Sequence, residues 1–206
     1  MRAMTIAAGA LGVLLLALPA MAQSTQESQG PGPDPARKAE AAKLAADPAL
    51  SAAANAAFLA NNLKQPGVMK RPSGLQYKII QNGFGRHPGP ADTVQVYYTG
   101  KLINGKVFDG TSQGLPATFN VSRDGLVQGW VEALQMMREG DHWTIWVPAA
   151  LGYGAGGTPD GSIPPNQTLI FDLRLLSTAA PPRPGDPACG ADPDCAKLMQ
   201  QQQGQQ

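Results

Sequence analysis

Short runs of alternating apolar and polar residues occupy the middle of the chain, between residues 73 and 176. Each run has the period of two that is typical of an antiparallel strand with one buried face. The apolar positions of four such runs are Leu75, Tyr77 and Ile79; Val94, Val96 and Tyr98; Trp143, Ile145 and Val147; and Leu169, Phe171, Leu173 and Leu175. The pattern therefore predicts at least four half-buried strands.

One hairpin and one helix can also be predicted in this region. Asn104-Gly105 indicates a hairpin with a type I′ turn, because both central residues of that turn need positive φ. Trp130, Leu134 and Met137 fall at i, i+4 and i+7, which is a helical period. Several strands and one short helix predict an α+β domain whose sheet buries its apolar face against the helix.

Residues 23–72 precede this region. They begin with a stretch rich in Gly, Pro, Gln and Ser, in which we expect a linker. An Ala-rich stretch follows as far as Leu63, with Ser51 as a candidate N-cap and Pro66-Gly67 as the stop signal. We expect a short helical extension that docks on the domain. A dimerisation arm is the alternative, although the apolar face is limited.

The first 22 residues have the pattern of a secretory signal peptide. Arg2 precedes an apolar stretch, and Ala20-Met21-Ala22 resembles a signal-peptidase site, so we expect a mature chain that begins at Gln23. The densely apolar centre is shorter than the roughly 20 residues of a spanning helix, which disfavours an uncleaved anchor. A periplasmic or secreted protein is expected.

Residues 179–206 are rich in Pro and Gln, and we expect a disordered tail there. Cys189 and Cys195 are the only cysteines. In an exported protein a small local disulfide is their simplest role. A metal site is the weaker alternative, because His87 and His142 are distant in sequence and tetrahedral zinc needs four ligands.

The charge of the chain argues against nucleic acid as a partner. The net charge is +1, and charged residues make up 15% of the chain, whereas nucleic-acid-binding domains carry a strong basic excess. No Gly-x-Ser-x-Gly elbow, phosphate loop or His-Glu-x-x-His motif occurs. The remaining feature is a concentration of aromatic residues beside a few polar ones, which suits an apolar groove.

Five segments, in order and at similar spacing, resemble the FKBP family of peptidyl-prolyl cis/trans isomerases. They are Val94 to Asp109, Val127-Gln128-Gly129-Trp130, Tyr153-Gly154, Ile163-Pro164-Pro165 and Leu169 to Leu173. Upstream, Phe58 to Asn62 and Ser73 to Lys78 look like the entry to the domain in bacterial exported members related to the macrophage infectivity potentiator.

The resemblance implies a fold, a domain and an activity. The fold would be an antiparallel sheet of about five strands wrapped around one short helix, with residues 73–178 as the isomerase domain. The activity would be X-Pro isomerisation during the folding of exported proteins, without a cofactor or metal. A non-catalytic proline-binding module or chaperone is the alternative function.

The same resemblance implies partners and site residues. The partners would be proline-containing unfolded or partly folded polypeptides and macrolide inhibitors, bound by a monomer or by a weak dimer through the N-terminal helix. Asp109 and Tyr153 would be the catalytic residues. The substrate-binding residues would be Tyr98, Phe108, Leu126, Val127, Trp130, Ile163 and Phe171. Ala117 lies where many members of the family carry a further aromatic residue.

Overall fold

The structure, a computed structural model, describes residues 34–112, 114–122 and 124–181. The expected signal peptide at 1–22 and the expected Cys189–Cys195 disulfide lie outside the described residues. Within the described ranges, no helix combines the length and the apolar character needed to cross a membrane.

The described part of the chain contains three α-helices and seven strands. The helices are α1 (Pro35–Ala45), α2 (Ala52–Asn62) and α3 (Gln128–Met136). The strands are β1 (Met69–Lys70), β2 (Gln76–Gln81), β3 (Thr93–Lys101), β4 (Val107–Gly110), β5 (Ala117–Asn120), β6 (His142–Val147) and β7 (Leu169–Ala179). Short 3₁₀ helices lie at Pro48–Leu50 and Ala149–Leu151.

The strands form one sheet in the order β1-β2-β6-β7-β3-β4, with β5 also paired to β3. Every pairing is antiparallel, which confirms the predicted α+β fold. The described sheet has seven strands and not about five. The two-residue β1 and the four-residue β5 were not predicted because so few residues give no clear alternation.

The core lies between this sheet and α3. The alternating apolar residues of β3, β6 and β7 face α3 and are almost fully buried, among them Val96, Ile145 and Leu173. Trp130, Ala133 and Leu134 are buried residues of α3 in the same core cluster. The apolar positions predicted for the strands and for the helix therefore pack together in one shared core.

The β3–β4 hairpin forms where it was predicted, but its turn is of another type. Gly105 N–H donates to Leu102 O at 2.9 Å, and Leu102 N–H donates to Lys106 O at 2.9 Å. Gly105 has φ +86°, whereas Asn104 does not have positive φ. The prediction of a type I′ turn was wrong: a type I turn followed by a left-handed glycine makes a three-residue loop.

The N-terminal extension consists of two α-helices separated by the 3₁₀ helix. Pro48 interrupts the Ala-rich stretch, because proline lacks the N–H that a continuous helix requires. The Ser51 hydroxyl accepts a hydrogen bond from Ala54 N–H at 3.2 Å, so Ser51 is the N-cap of α2, as the sequence predicts.

Helix α2 docks on the outer face of the sheet. The amide of Gln76 donates to Leu59 O at 3.1 Å and accepts from Asn62 at 2.9 Å. Gln76 pairs in register with Trp146, and both side chains are buried, at 2% and 9% exposure. The outward faces of β2 and β6 are thus covered at this end, and α2 supplies the polar contacts.

A buried asparagine joins α2 to the loop before β7. Asn55 is 4% exposed. Its Nδ2 donates to Leu50 O at 3.1 Å, and its Oδ1 accepts from Thr168 N–H at 2.7 Å. Gln167 donates to the same Leu50 carbonyl at 2.8 Å. These bonds satisfy backbone groups that burial would otherwise leave unpaired.

Candidate functional site

The indole of Trp130 forms the floor of an aromatic cavity. Trp130 lies in the first turn of α3 and is 3% exposed. Three rings meet it nearly edge-on, with centroid separations of 4.9 Å for Tyr98, 5.6 Å for Phe119 and 5.2 Å for Phe171. Edge-to-face contacts are favoured by the charge distribution of aromatic rings, so the cage is rigid as well as apolar.

A glycine in β3 allows the side wall to form. Phe108 meets Phe171 edge-on at a centroid separation of 5.7 Å. A Cβ atom at Gly100 would lie 2.7 Å from Phe108 Cζ and 2.8 Å from Phe171 Cε1. A larger residue at position 100 would therefore push both rings out of place, since neither distance is a normal contact.

The cavity has a volume of about 180 Å³. It brings together eight of the residues that the resemblance implied, namely Tyr98, Phe108, Asp109, Leu126, Val127, Trp130, Tyr153 and Phe171. The lining also includes Phe119, Asp124 and Gly125. The arrangement is drawn from strands, a helix and loops that are distant in sequence.

Ile163 does not line this cavity. Its side chain is 3% exposed and belongs to the hydrophobic core. The backbone explains its position: Thr158 N–H donates to Ile163 O at 2.9 Å, and Ile163 N–H donates to Thr158 Oγ1 at 3.0 Å. These two bonds close the loop tightly and leave the Ile163 side chain in the core.

Phe119 is the cavity aromatic that the sequence analysis missed. It lies two residues after Ala117 in β5, and both residues are partly buried against the core. Side chains two positions apart face the same side of a strand. Phe119 therefore supplies the aromatic ring that the resemblance leads one to expect at position 117. The signal that could have identified it is its position two residues after Ala117, where the family resemblance leads one to expect an aromatic residue.

The polar edge of the cavity is a hydrogen-bonded pair. The Tyr98 hydroxyl donates to Asp109 Oδ2 at 2.8 Å, and Gly110 N–H donates to Asp109 Oδ1 at 2.8 Å. Burial raises the pKa of Tyr98 well above its usual range, and the bond to Asp109 and its charge add to this. Tyr98 is therefore a protonated donor at neutral pH.

Tyr153 offers a second hydroxyl at the rim. It follows the 3₁₀ helix Ala149–Leu151 and is 44% exposed. Its hydroxyl makes no hydrogen bond to any residue of the described ranges. Partial burial raises the pKa of Tyr153, as do the charges of Asp109 and Asp160. The hydroxyl thus remains protonated and can donate to a ligand.

These features define what the site can bind. The floor and walls suit a compact apolar ring, because they bury it against aromatic faces and edges. The Tyr153 hydroxyl suits a carbonyl oxygen next to that ring. Two carboxylates, Asp109 and Asp124, lie along the same lining.

Comparison with known proteins identifies the same region. The family model for FKBP-type peptidyl-prolyl cis-trans isomerase matches residues 85–176, which include every residue of the cavity lining. The model for the domain amino terminal to FKBP-type peptidyl-prolyl isomerase matches residues 16–79.

Two curated relatives align over 122 residues. The outer membrane protein MIP of Legionella longbeachae is 53% identical, over 59% of this chain and 51% of that protein. The peptidyl-prolyl cis-trans isomerase Mip of Coxiella burnetii is 48% identical, over 59% of this chain and 52% of that protein. The chain spans about half the length of these curated relatives.

A solved structure matches over nearly its whole length. The crystal structure of a peptidyl-prolyl cis-trans isomerase from Pseudomonas syringae pv. tomato is 33% identical, with a TM-score of 0.57, over 62% of this chain and 92% of that chain. The sheet, the cavity and these matches agree, and the chain belongs to the FKBP-type peptidyl-prolyl cis-trans isomerase family.

Proposed function

We propose that this protein catalyses cis/trans isomerisation of X-Pro bonds in unfolded or partly folded polypeptides. The observation that supports it most directly is the aromatic cage around Trp130, with the Tyr98–Asp109 pair at its edge. Eight of the nine residues that family resemblance implies for the site meet in this one cavity.

The prolyl ring is the group that fits the cage. It is compact and apolar, and the cavity of about 180 Å³ has a floor formed by Trp130. Leu126 and Val127 add aliphatic surface beside the aromatic rings. Removing this surface and the ring from water favours binding by roughly 25 cal/mol per Å² of apolar area buried.

The reaction itself needs only selective binding of a twisted amide. Rotation about the X-Pro bond crosses a barrier of about 20 kcal/mol, because twisting destroys the amide resonance. A millionfold acceleration requires about 8 kcal/mol of stabilisation of the twisted state over the planar one. Water stabilises the planar amide, which is more polar than the twisted one. The apolar walls therefore lower the barrier by excluding water.

Two polar residues would complete the catalytic site. Tyr153 would donate a hydrogen bond to the substrate carbonyl. This assignment is supported by the Tyr153 hydroxyl, which makes no hydrogen bond to a residue of the described ranges. Asp109 would supply the polar edge beside the twisting bond, and its carboxylate is oriented by Tyr98 and by Gly110 N–H. The reaction moves no proton, so both residues act by positioning and by their charge distribution.

A proline-limited refolding assay separates this proposal from a non-catalytic proline-binding module or chaperone. We expect the wild type to increase the rate of the slow refolding phase in proportion to its concentration. The double variant Asp109→Leu, Tyr153→Phe should remain folded and lose most of this activity. The matched control Asp172→Leu, Tyr97→Phe changes the same residue types outside the cavity and should retain it. Wild-type turnover in the first variant would contradict the assignment of these residues.

We propose in addition that the chain is exported and processed at Ala22. The support is the apolar stretch before Ala20-Met21-Ala22 and the name of the Legionella relative, an outer membrane protein. The mass of protein from the cell envelope should correspond to a chain starting at Gln23, with the expected tail disulfide visible as a loss of two hydrogens. Full-length protein recovered from the cytoplasm would contradict export.

Four further assignments complete the proposal. Residues 73–178 would form the isomerase domain, and residues 179–206 a tail without a catalytic role. The protein would act as a monomer or as a weak dimer through its N-terminal helix. If it is a dimer, removing residues 23–72 would lower the mass measured by sedimentation to less than half. Macrolide inhibitors would compete for the aromatic cavity, which inhibition of refolding measures.

A further inference from the structure

A second cavity of about 500 Å³ lies next to the aromatic cavity. One wall is a face of α1 that runs from Ala36 to Leu44, and the opposite wall is the loop at residues 160–162. The β3–β4 hairpin contributes Lys106 and Phe108. We call this cavity the flanking groove.

Contacts at several points hold α1 in place along the groove. Glu40 Oε1 lies 2.5 Å from Lys106 Nζ, and just beyond the end of α1 Asn104 Nδ2 donates to Asp47 Oδ2 at 3.0 Å. A Cβ atom at Gly161 would lie 2.4 Å from Ala41 Cβ, so the helix and the loop approach as closely as glycine permits. The exposed ion pair contributes little by itself, but close packing at Gly161 fixes the spacing of the two walls.

Phe108 lines both cavities, so the two adjoin at this aromatic ring. The aromatic cavity, at about 180 Å³, is smaller than the roughly 300–1,000 Å³ of pockets that enclose a whole small ligand. It can hold a prolyl ring but not the residues on either side of it. A polypeptide bound there must continue over the neighbouring surface, and the flanking groove is the concave surface that adjoins Phe108.

The polar groups of the groove suit an extended backbone. Arg37 makes no hydrogen bond or ion pair with a residue of the described ranges, and its guanidinium carries five N–H donors. Lys106, in contrast, is paired with Glu40. Asp160 accepts from Ser162 N–H at 3.1 Å and from Ser162 Oγ at 2.9 Å, so part of its acceptor capacity is used. The unused donors of Arg37 match the carbonyl oxygens of an extended segment.

We propose that the flanking groove is a second binding site for the polypeptide substrate, occupied by extended residues next to the proline. This inference rests on the proposed function, since it assigns the groove to the same substrate. It makes α1 part of the binding surface for long chains. Short peptides that end near the proline would not reach it.

A variant that fills the groove should therefore weaken the binding of long substrates and leave the binding of short peptides unchanged. Ala36→Trp places a large ring at the rim of the groove. Ala42→Trp, on the exposed face of α1 outside the lining, is the matched control. We expect Ala36→Trp to leave kcat/KM for an Ala-Pro tetrapeptide unchanged. For a proline-limited unfolded protein, KM should rise about five- to tenfold, the equivalent of one or two lost hydrogen bonds.

A second test removes a charge from the groove and measures the binding of an unfolded protein, so that it does not depend on turnover. Arg37→Ala should weaken binding of a permanently unfolded, proline-containing protein about threefold or more, and Lys38→Ala, an exposed cation outside the lining, should not. Helix content by circular dichroism verifies that α1 remains folded. If wild type, Ala36→Trp and Arg37→Ala bind the unfolded protein with equal affinity, the flanking groove is not a binding site for the polypeptide. Wild-type protein that binds in this groove-dependent way without catalysis would support the groove and contradict the proposed function.

Discussion

The hydroxyl of Tyr98 donates a hydrogen bond of 2.8 Å to Oδ2 of Asp109, across the hairpin that joins β3 and β4. Asp109 pairs in register with Gly100, two residues beyond Tyr98 in the same strand. The bond places a carboxylate at the rim of an aromatic cavity and fixes its direction. It also gives the hydroxyl of the half-buried Tyr98 a polar partner.

Replacing Asp109 with Leu should lower turnover while the protein stays folded. The carboxylate is exposed, so its loss changes stability little. Losing the proposed interaction of this charged group with the twisting amide should cost about 1.5–3 kcal/mol, or roughly 10- to 150-fold in kcat/KM. The pKa of Tyr98 should fall and yet stay above its ordinary value, because burial raises it independently of Asp109. Refolding kinetics and absorbance titration at alkaline pH measure the two effects. An unchanged Tyr98 pKa would show that the hydrogen bond does not form in solution.

Tyr153→Phe removes one hydroxyl and keeps the ring. The side chain is nearly half exposed, so the melting temperature should stay within about 1 °C of the wild type, as is usual for surface changes. A neutral hydrogen bond contributes about 0.5–1.5 kcal/mol, so turnover should fall about two- to tenfold. Tyr97→Phe, outside the cavity, is the control. A loss of stability without a loss of turnover would assign the hydroxyl a structural role.

Trp130→Leu should weaken substrate binding and destabilise the protein together. The indole is buried and is in contact with three aromatic rings, so a smaller side chain leaves a cavity that costs about 2–4 kcal/mol. Trp143 is equally buried outside the cavity, where it stacks on Tyr77 at 4.9 Å. Trp143→Leu should therefore destabilise to a similar extent and leave the kcat/KM of the folded protein unchanged. Equal kinetic losses in both variants would mean that Trp130 acts through the core alone.

Asn55→Ala should reduce the free energy of unfolding by about 2–3 kcal/mol, because it leaves the buried Thr168 N–H without a partner and removes one of the two hydrogen bonds to Leu50 O. Urea denaturation measures the change. Asn61→Ala, on an exposed face of the same helix, is the control and should cost less than about 0.5 kcal/mol. The same cost in both variants would contradict the docking of α2 on the loop before β7.

Local periodicity was sufficient to predict most of the fold. Val94 and Val96 of β3, like Trp143 and Ile145 of β6, alternate with polar residues because a strand buries every second side chain. The helical spacing of Trp130 and Leu134 is visible for the corresponding reason. Both patterns are properties of a single element, and they persist whatever surrounds it.

The site residues were predicted through family resemblance and not through periodicity. Tyr98 and Trp130 follow the same patterns as ordinary core residues, so their spacing alone does not distinguish a cavity from a core. Ile163 illustrates the limit: the resemblance placed it among the substrate-binding residues, but two backbone hydrogen bonds with Thr158 close the loop and its side chain lies in the core.

The sequence by itself determined the strands and the helix of an α+β domain, the hairpin at Asn104-Gly105 and the cap at Ser51, because each depends on residues that are neighbours in the chain. Only the tertiary structure decided the type of that turn and the position of α1. The flanking groove depends on the approach of Ala41 to Gly161, residues that share no local pattern. Their contact is selected by the packing of the whole domain.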